Sequence, residues 1–213
     1  MSNLASRRLD YETAGLDISD LADDPVDQWH QWYDQAMESG CVEPNAFVLG
    51  TVDAGGAPRS RYLLARGADE RGISFFTNYH SAKSREMTAT PNVTMLFSWL
   101  QLHRQVRVDG TVERLPESES DEYFASRPRS SQIGAWASPQ SEVLADRAAL
   151  EALVAAATAR FVGVDEIARP DHWGGWLLRP TSFEYWQGRP SRLHDRLRYR
   201  RISGAWVIDR LAP

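Results

Sequence analysis

The stretch WQGRPSRLHDR, residues 186–196, holds one Trp, three Arg and one His. Arg192, His194 and Arg196 stand at i, i+2 and i+4, a spacing that on a strand puts three side chains on one face. On a helix His194 would leave the other two, and Gly188 and Pro190 argue against a helix here. The expectation is a loop running into a strand that presents two guanidiniums and an imidazole together. Such a surface suits an anionic, planar, hydrogen-bonding ligand. A charged strand face in water is the plain alternative.

Three other clusters carry charge and hydroxyls. RSRYLLAR sets Arg59 and Arg61 on alternating strand positions, with Arg66 at its end. FFTNYHSAKS brings hydroxyl and amide groups to Lys83 at the start of a helix, and a helix N-terminus with a cation is a phosphate site. YFASRPRSSQIGAWASPQS holds Tyr123, Arg127, Arg129, Ser130 and Ser131, a density that again fits a phosphate or else a solvated turn. Two phosphate-competent clusters suggest two phosphorylated ligands. Nucleophile-elbow, Walker, zinc-protease and dinucleotide fingerprints are all missing. Cys41 has no activating neighbour in sequence and reads as a small semi-buried residue. Among the histidines, His30 reads as structural, His80 and His103 as solvated and His172 as packing.

The elements that must position these residues are mostly strands. Residues 1–24 are polar and acid-rich and read as a mobile arm. Residues 25–39 carry Val26, Trp29, Trp32, Tyr33 and Met37 near helical spacing, opened by Pro25 and stopped by Gly40. From Asn45 onward, AFVLGTV, RSRYLLAR, ISFFTN, NVTMLFSWL and RQVRVDGTVERL alternate with tight-turn signals, as expected of an antiparallel barrel. SAKSREMTATP reads as a short helix, PESESDEYFASR as a helix opening at Pro116, and Ser131 to Ala137 as another short piece. SEVLADRAALEALVAAATARF is the plainest helix, with Leu144, Leu150, Val154 and Phe161 near one stripe. WGGWLLRPTSFEYWQG returns to strand, and the tail reads as a hairpin turning at Ser203-Gly204. No βαβ alternation and no internal repeat occurs. Residues 25–213 are expected to form a single domain, mainly β with helices (α+β).

The chain has 213 residues, 42% hydrophobic and 25% charged, enough for one substantial core. Its net charge of −5 gives nucleic-acid binding no electrostatic support. No stretch is long and apolar enough to span a membrane, and no signal-peptide core opens the chain. One cysteine excludes an internal disulfide framework and a multi-cysteine zinc site, so no metal is expected and the default location is cytoplasmic. Lys83 is the only lysine.

SRPRSSQIGAWAS, WGGW, FEYWQG, RLHDR and the terminal IDRLAP together resemble pyridoxamine 5′-phosphate oxidases, from about Arg8 to the C-terminus. The resemblance implies an FMN-binding split β-barrel and a homodimer with FMN at the subunit interface. It implies oxidation of pyridoxamine 5′-phosphate and pyridoxine 5′-phosphate to pyridoxal 5′-phosphate, with O2 as acceptor and H2O2 as product. It assigns FMN contacts to Arg61, Arg66, Phe76, Thr77, Lys83, Gln105, Gln140, Ser141, Trp186 and Arg196. For the substrate it assigns Arg8, Leu9, Asp10 and Tyr11 as a covering segment. Arg66, Tyr123, Arg127 and Ser131 are assigned to the phosphate, with Arg192 and His194 as the catalytic pair over the pyridine ring. Arg66 stands where many members have lysine. Ala82 stands where many have an arginine on the FMN phosphate, and Arg85 is the expected substitute. Two other classes stay open: a different split-barrel flavin or deazaflavin oxidoreductase, and a non-catalytic carrier of pyridoxal phosphate or flavin.

Overall fold

The computed structural model describes residue 11 and residues 13–213 of the chain. Among these residues lie nine strands and five α-helices, and every strand pairing is antiparallel. The helix α1 (Pro25–Glu38) starts where the sequence places it. The Asp24 carboxylate caps it, accepting from the Val26 amide at 2.7 Å, and Pro25 fills the first turn. Gly40, at φ +75°, follows its end. Trp29 and Trp32 are 5% and 3% exposed, and a buried side chain of this size contributes about 2–3 kcal/mol to docking. They wedge against Phe97 and Tyr185 at ring separations of 5.3 and 5.1 Å.

The strand β1 (Ala46–Val52) pairs with β2 (Pro58–Leu64) on one side and β5 (Asn92–Trp99) on the other. Next come β6 (Arg104–Arg114) and then β7 (Trp173–Gln187), the longest strand. The short β3 (Gly67–Asp69), inside a segment expected to be only a turn, pairs with β4 (Gly72–Asn78). Alternate residues of β1 and β5 point inward, and Phe47, Leu49, Met95 and Phe97 are completely buried.

The barrel is split along β7. Its first half, up to Leu178, pairs with β4, and its second half, from Ser182, pairs with β8 (Asp195–Ile202). Pro180, which has no N–H to give to a ladder, sits at the handover. Opposite it the β6–β7 register shifts, so that Asp109 faces Ser182 and Gly110 faces Pro180. A side chain at Gly110 would place its Cβ 2.1 Å from the Arg179 carbonyl oxygen, so glycine alone fits. The hairpin of β8 and β9 (Ala205–Leu211) turns at Ser203 and Gly204, both at positive φ, as a two-residue turn requires.

Helices α2 (Ala82–Ala89), α3 (Glu117–Ser126), α4 (Arg129–Ala137) and α5 (Arg147–Arg160) occupy the connections. A second small core of Phe124, Phe161, Ile167 and Trp173 joins α3, α4 and β7. The expected stripe on α5 does not form. Leu144 precedes the helix, which opens at the Asp146 cap, and no residue of α5 is buried. The arm expected to be mobile is tied down from Thr13 onward. The Leu16 amide donates to Asp195 Oδ2 at 3.1 Å, Tyr199 Oη donates to the Ala22 carbonyl at 2.6 Å, and Arg210 donates to the Leu16 carbonyl at 3.0 Å. Arg8, Leu9 and Asp10 lie outside the described residues.

Candidate active site

The first group of site residues surrounds a cavity of about 420 Å³ between β2, β4 and the α3–α4 turn. Arg66, Phe76, Thr77, Tyr123, Arg127, Ser131 and Gln140 all line it. Pro128 forces Arg127 into extended backbone, which ends α3 and turns the Arg127 side chain into the corner before α4. The guanidinium lies 4.5 Å from the centre of the Trp173 ring. Its Nη1 is buried and finds no partner among the described residues. Burial, with Arg66 close by, lowers its pKa despite the nearby Tyr123 hydroxyl. Tyr123 stacks on Phe76 at 4.0 Å, which forms a flat aromatic wall beside the two guanidiniums.

Behind Thr77 and Gln140 lies Lys83, in the first turn of α2. Its Nζ donates to Gln140 Oε1 at 2.7 Å, Thr77 Oγ1 at 3.2 Å and Ser81 Oγ at 3.3 Å, all neutral acceptors. Burial first, then the positive charge of Arg61, pushes the Lys83 ammonium down to about 8, although Glu86 partly opposes this. Arg61 is held by Glu86 at 2.8 Å and also donates to Thr51. Arg85, expected to substitute for the cation missing at Ala82, instead donates to the His80 carbonyl and to Glu142 at 3.3 Å. The second cation near Lys83 is therefore Arg61. An orphaned guanidinium nitrogen and a buried lysine among neutral acceptors both suit phosphate oxygens.

The second group sits at the far end of β7. Register puts Gln105 of β6, Trp186 of β7 and Arg196 of β8 directly across from one another, so they share a face. Glu184, 5% exposed, accepts from Arg196 Nε at 2.7 Å and raises the arginine's pKa. Arg196 also donates to the Ala212 carbonyl at 3.0 Å. Arg192 and His194 are not on a strand face with Arg196, because β8 begins only at Asp195. Pro190–Arg192 form a 3₁₀ turn in which Ser191 and Arg192 have φ of 56° and 61°. Left-handed backbone at two non-glycine residues costs about 1–2 kcal/mol each, and Arg192 projects as an exposed side chain. His194 is half-buried, its ring 4.6 Å from Trp186 and 5.9 Å from Tyr11. The Arg189 amide donates to His194 Nδ1 at 3.1 Å, which in the neutral ring places the proton on Nε2. Ser141, exposed at φ +77°, follows Gln140.

The family model described as "Pyridoxamine 5'-phosphate oxidase" matches residues 33–161, and one described as "Pyridoxine 5'-phosphate oxidase C-terminal dimerisation region" matches residues 173–213. The chain belongs to the pyridoxamine 5′-phosphate oxidase family. A pyridoxine/pyridoxamine 5′-phosphate oxidase of Salinibacter ruber is 50% identical, and one of Burkholderia mallei 51%, each over the full length of both chains. Among solved structures, PhzG from Burkholderia lata, in complex with tetrahydrophenazine-1-carboxylic acid, superposes with a TM-score of 0.88. It is 32% identical and covers 95% of this chain and 98% of its own. An FMN-binding protein of Nostoc punctiforme shares the fold at a TM-score of 0.70 and 18% identity, over 91% of this chain and all of its own.

Membership in the oxidase family makes the chain an enzyme of the split-barrel flavin type. Among the described residues no helix is long and apolar enough to cross a membrane, and no group of three or more His, Cys, Asp or Glu side chains could hold a metal. Sequence reasoning missed Glu184 and His103. Glu184 stands two residues before Trp186 on β7 and shares its face, so an acid beside a site aromatic was a signal available in FEYWQG. His103, expected to be solvated, stacks on Tyr11.

Proposed function

We propose that this enzyme oxidises pyridoxamine 5′-phosphate and pyridoxine 5′-phosphate to pyridoxal 5′-phosphate, using FMN and O2 and releasing H2O2, the amine substrate also consuming water and releasing ammonia. The observation that carries the reading is the cavity in which Arg66, Arg127, Tyr123 and Ser131 converge with one arginine nitrogen unpaired. A phosphate monoester supplies the missing acceptors, and charge-assisted contacts of this kind are the strong ones. FMN, when bound, supplies a hydride acceptor that O2 can regenerate. Lys83, Arg61, Thr77, Gln140 and Ser141 would hold its phosphate end, and Gln105, Trp186 and Arg196 its ring system. Arg196, oriented by Glu184, favours negative charge on the ring, and Arg192 with the Nε2–H of His194 orients the pyridine. Positioning and electrostatics are then the protein's share of catalysis.

The site is assembled from two subunits in this reading. Phe76 lies across from Gly175 on β7, and Gln105 across from Trp186. Eleven residues of strand separate these two positions, roughly 35 Å along β7 at 3.3 Å per residue. That is longer than one mononucleotide, so cofactor contacts at both ends are most simply met by two copies of the chain. The match of residues 173–213 to a dimerisation region supports the same arrangement.

The test is O2 uptake by the FMN-reconstituted protein with each phosphorylated vitamer. We expect turnover with at least one, and a strong loss of kcat in Arg192→Ala with FMN retained. Oxidation of a non-phosphorylated dihydroaromatic acid, with neither vitamer oxidised, would overturn the assignment in favour of chemistry on a ligand like that bound by PhzG.

A further inference from the structure

We propose that His103 is a positioning residue that latches Tyr11 over the Trp186–His194 end of the site. The inference rests on the functional reading above for its kinetic consequence, but its geometry stands apart from that reading.

His103 closes the 3₁₀ turn Leu100–Leu102 and sits at φ +51°, a left-handed conformation uncommon for residues other than glycine. Its two ends grip different parts of the chain. Its carbonyl accepts from the Gly188 amide at 2.8 Å and from Gln187 Nε2 at 3.3 Å, which fixes the end of β7. Its imidazole stacks on Tyr11 with centroids 4.1 Å apart and planes at 28°. The same Tyr11 ring lies 6.3 Å from Trp186, edge-on, and 5.9 Å from His194. Tyr11 also rests on bare backbone. A Cβ at Gly188 would sit 2.6 Å from Tyr11 Cδ2 and 2.9 Å from His103 Cβ. Gly188 thus leaves the space into which the ring fits, and His103 covers the other side of it. Thr13 continues the contact by donating to the Gly188 carbonyl, while Arg189 Nη1 donates to the Thr13 carbonyl at 2.6 Å. The segment entering from the N-terminus is held at one aromatic clasp, next to two residues of the site.

A stacked aromatic pair is worth about two- to tenfold in an equilibrium. The experiment compares His103→Ala, His103→Phe, Tyr11→Ala and the double variant His103→Ala/Tyr11→Ala in the FMN-loaded enzyme. Two readouts are taken. The first is the KM and kcat for pyridoxine 5′-phosphate. The second is hydrogen exchange at the Leu16 amide, which the docked segment ties to Asp195. His103→Ala should raise KM and lower exchange protection by about two- to tenfold, with kcat changed less than about twofold. His103→Phe keeps a flat ring on the same backbone and should restore both. The double variant should be no worse than the poorer single variant, as for one shared interaction. Wild-type KM and exchange in His103→Ala would overturn the proposal, as would failure of the Phe variant to rescue or additive losses in the double. Lost protection with an unchanged KM would also overturn the positioning role. Exchange is read without substrate, so it judges the latch even for a protein that oxidises neither vitamer.

Discussion

Replacing Lys83 by Met tests whether the proposed phosphate site is built at the expense of the ligand-free protein's stability. Lys83 is 8% exposed and bonded only to neutral acceptors, and its pKa falls from 10.5 to about 8. At about 1.4 kcal/mol for each pH unit, the charged lysine costs the folded ligand-free protein about 3 kcal/mol relative to the unfolded chain. The folded state sheds this proton first. Between pH 8 and 10.5 the unfolded chain therefore holds more protons, and stability climbs with pH across that window. Below pH 8 both states are protonated and the penalty is complete. Urea unfolding of ligand-free wild type and Lys83→Met, from pH 7 to 10.5, isolates this group, because every other titration is common to both. Wild type should gain about 3 kcal/mol relative to the variant over the range. A phosphate beside Lys83 restores the ammonium, so FMN binding at pH 9 should take up close to one proton. Calorimetry in two buffers of different ionisation enthalpy measures that number. The variant should show no uptake and bind FMN about ten- to a hundredfold more weakly, the size of one lost charge-assisted contact. A pH-independent difference between the two stability curves, or FMN binding without proton uptake, would refute the reasoning.

Arg127→Ala removes a desolvated guanidinium whose Nη1 has no described partner. The ligand-free protein should lose less than about 1 kcal/mol in urea unfolding, while pyridoxal 5′-phosphate binding weakens about ten- to a hundredfold by fluorescence titration. If each site takes one group of residues from each subunit, Lys83→Met and Arg196→Ala chains, assayed at an FMN concentration that loads the wild type but not Lys83→Met, should each be nearly inactive alone and should complement when co-expressed. Random pairing leaves one intact site in each mixed dimer, and about a quarter of wild-type turnover is expected.

Much of the fold was legible because local chemistry and tertiary structure agree. Asp24-Pro25 opens α1, alternation marks β1 and β5, and Ser203-Gly204 turns the last hairpin. Other features depend on partners remote in sequence. The segment from Thr13 to Asp24 is polar and reads as free, yet it is held by Gly188, Asp195, Tyr199 and Arg210, more than 170 residues away. The Ala/Leu stripe of α5 announces a helix but cannot say whether anything covers it, and within this chain no residue of it is buried. Three residues of β3 are too few for a period to show.

The opening cluster illustrates the same limit at the site itself. Spacing i, i+2, i+4 put Arg192, His194 and Arg196 on one strand, and that inference needed extended backbone throughout. Ser191 and Arg192 are left-handed instead, so Arg192 leaves from a turn, His194 folds back on Trp186, and Arg196 alone keeps strand geometry. The three side chains leave from different backbone settings, set by a turn that residue types did not reveal. The grouping of the others was equally hidden. Only the register of β7, with Gly175 opposite Phe76 and Trp186 opposite Gln105, shows that contacts assigned to one cofactor lie at opposite ends of one strand. A flexible protein could bring such ends together by bending. Pairing with β6 along most of β7 resists that, so under the proposed assignment a second copy of the chain closes the site.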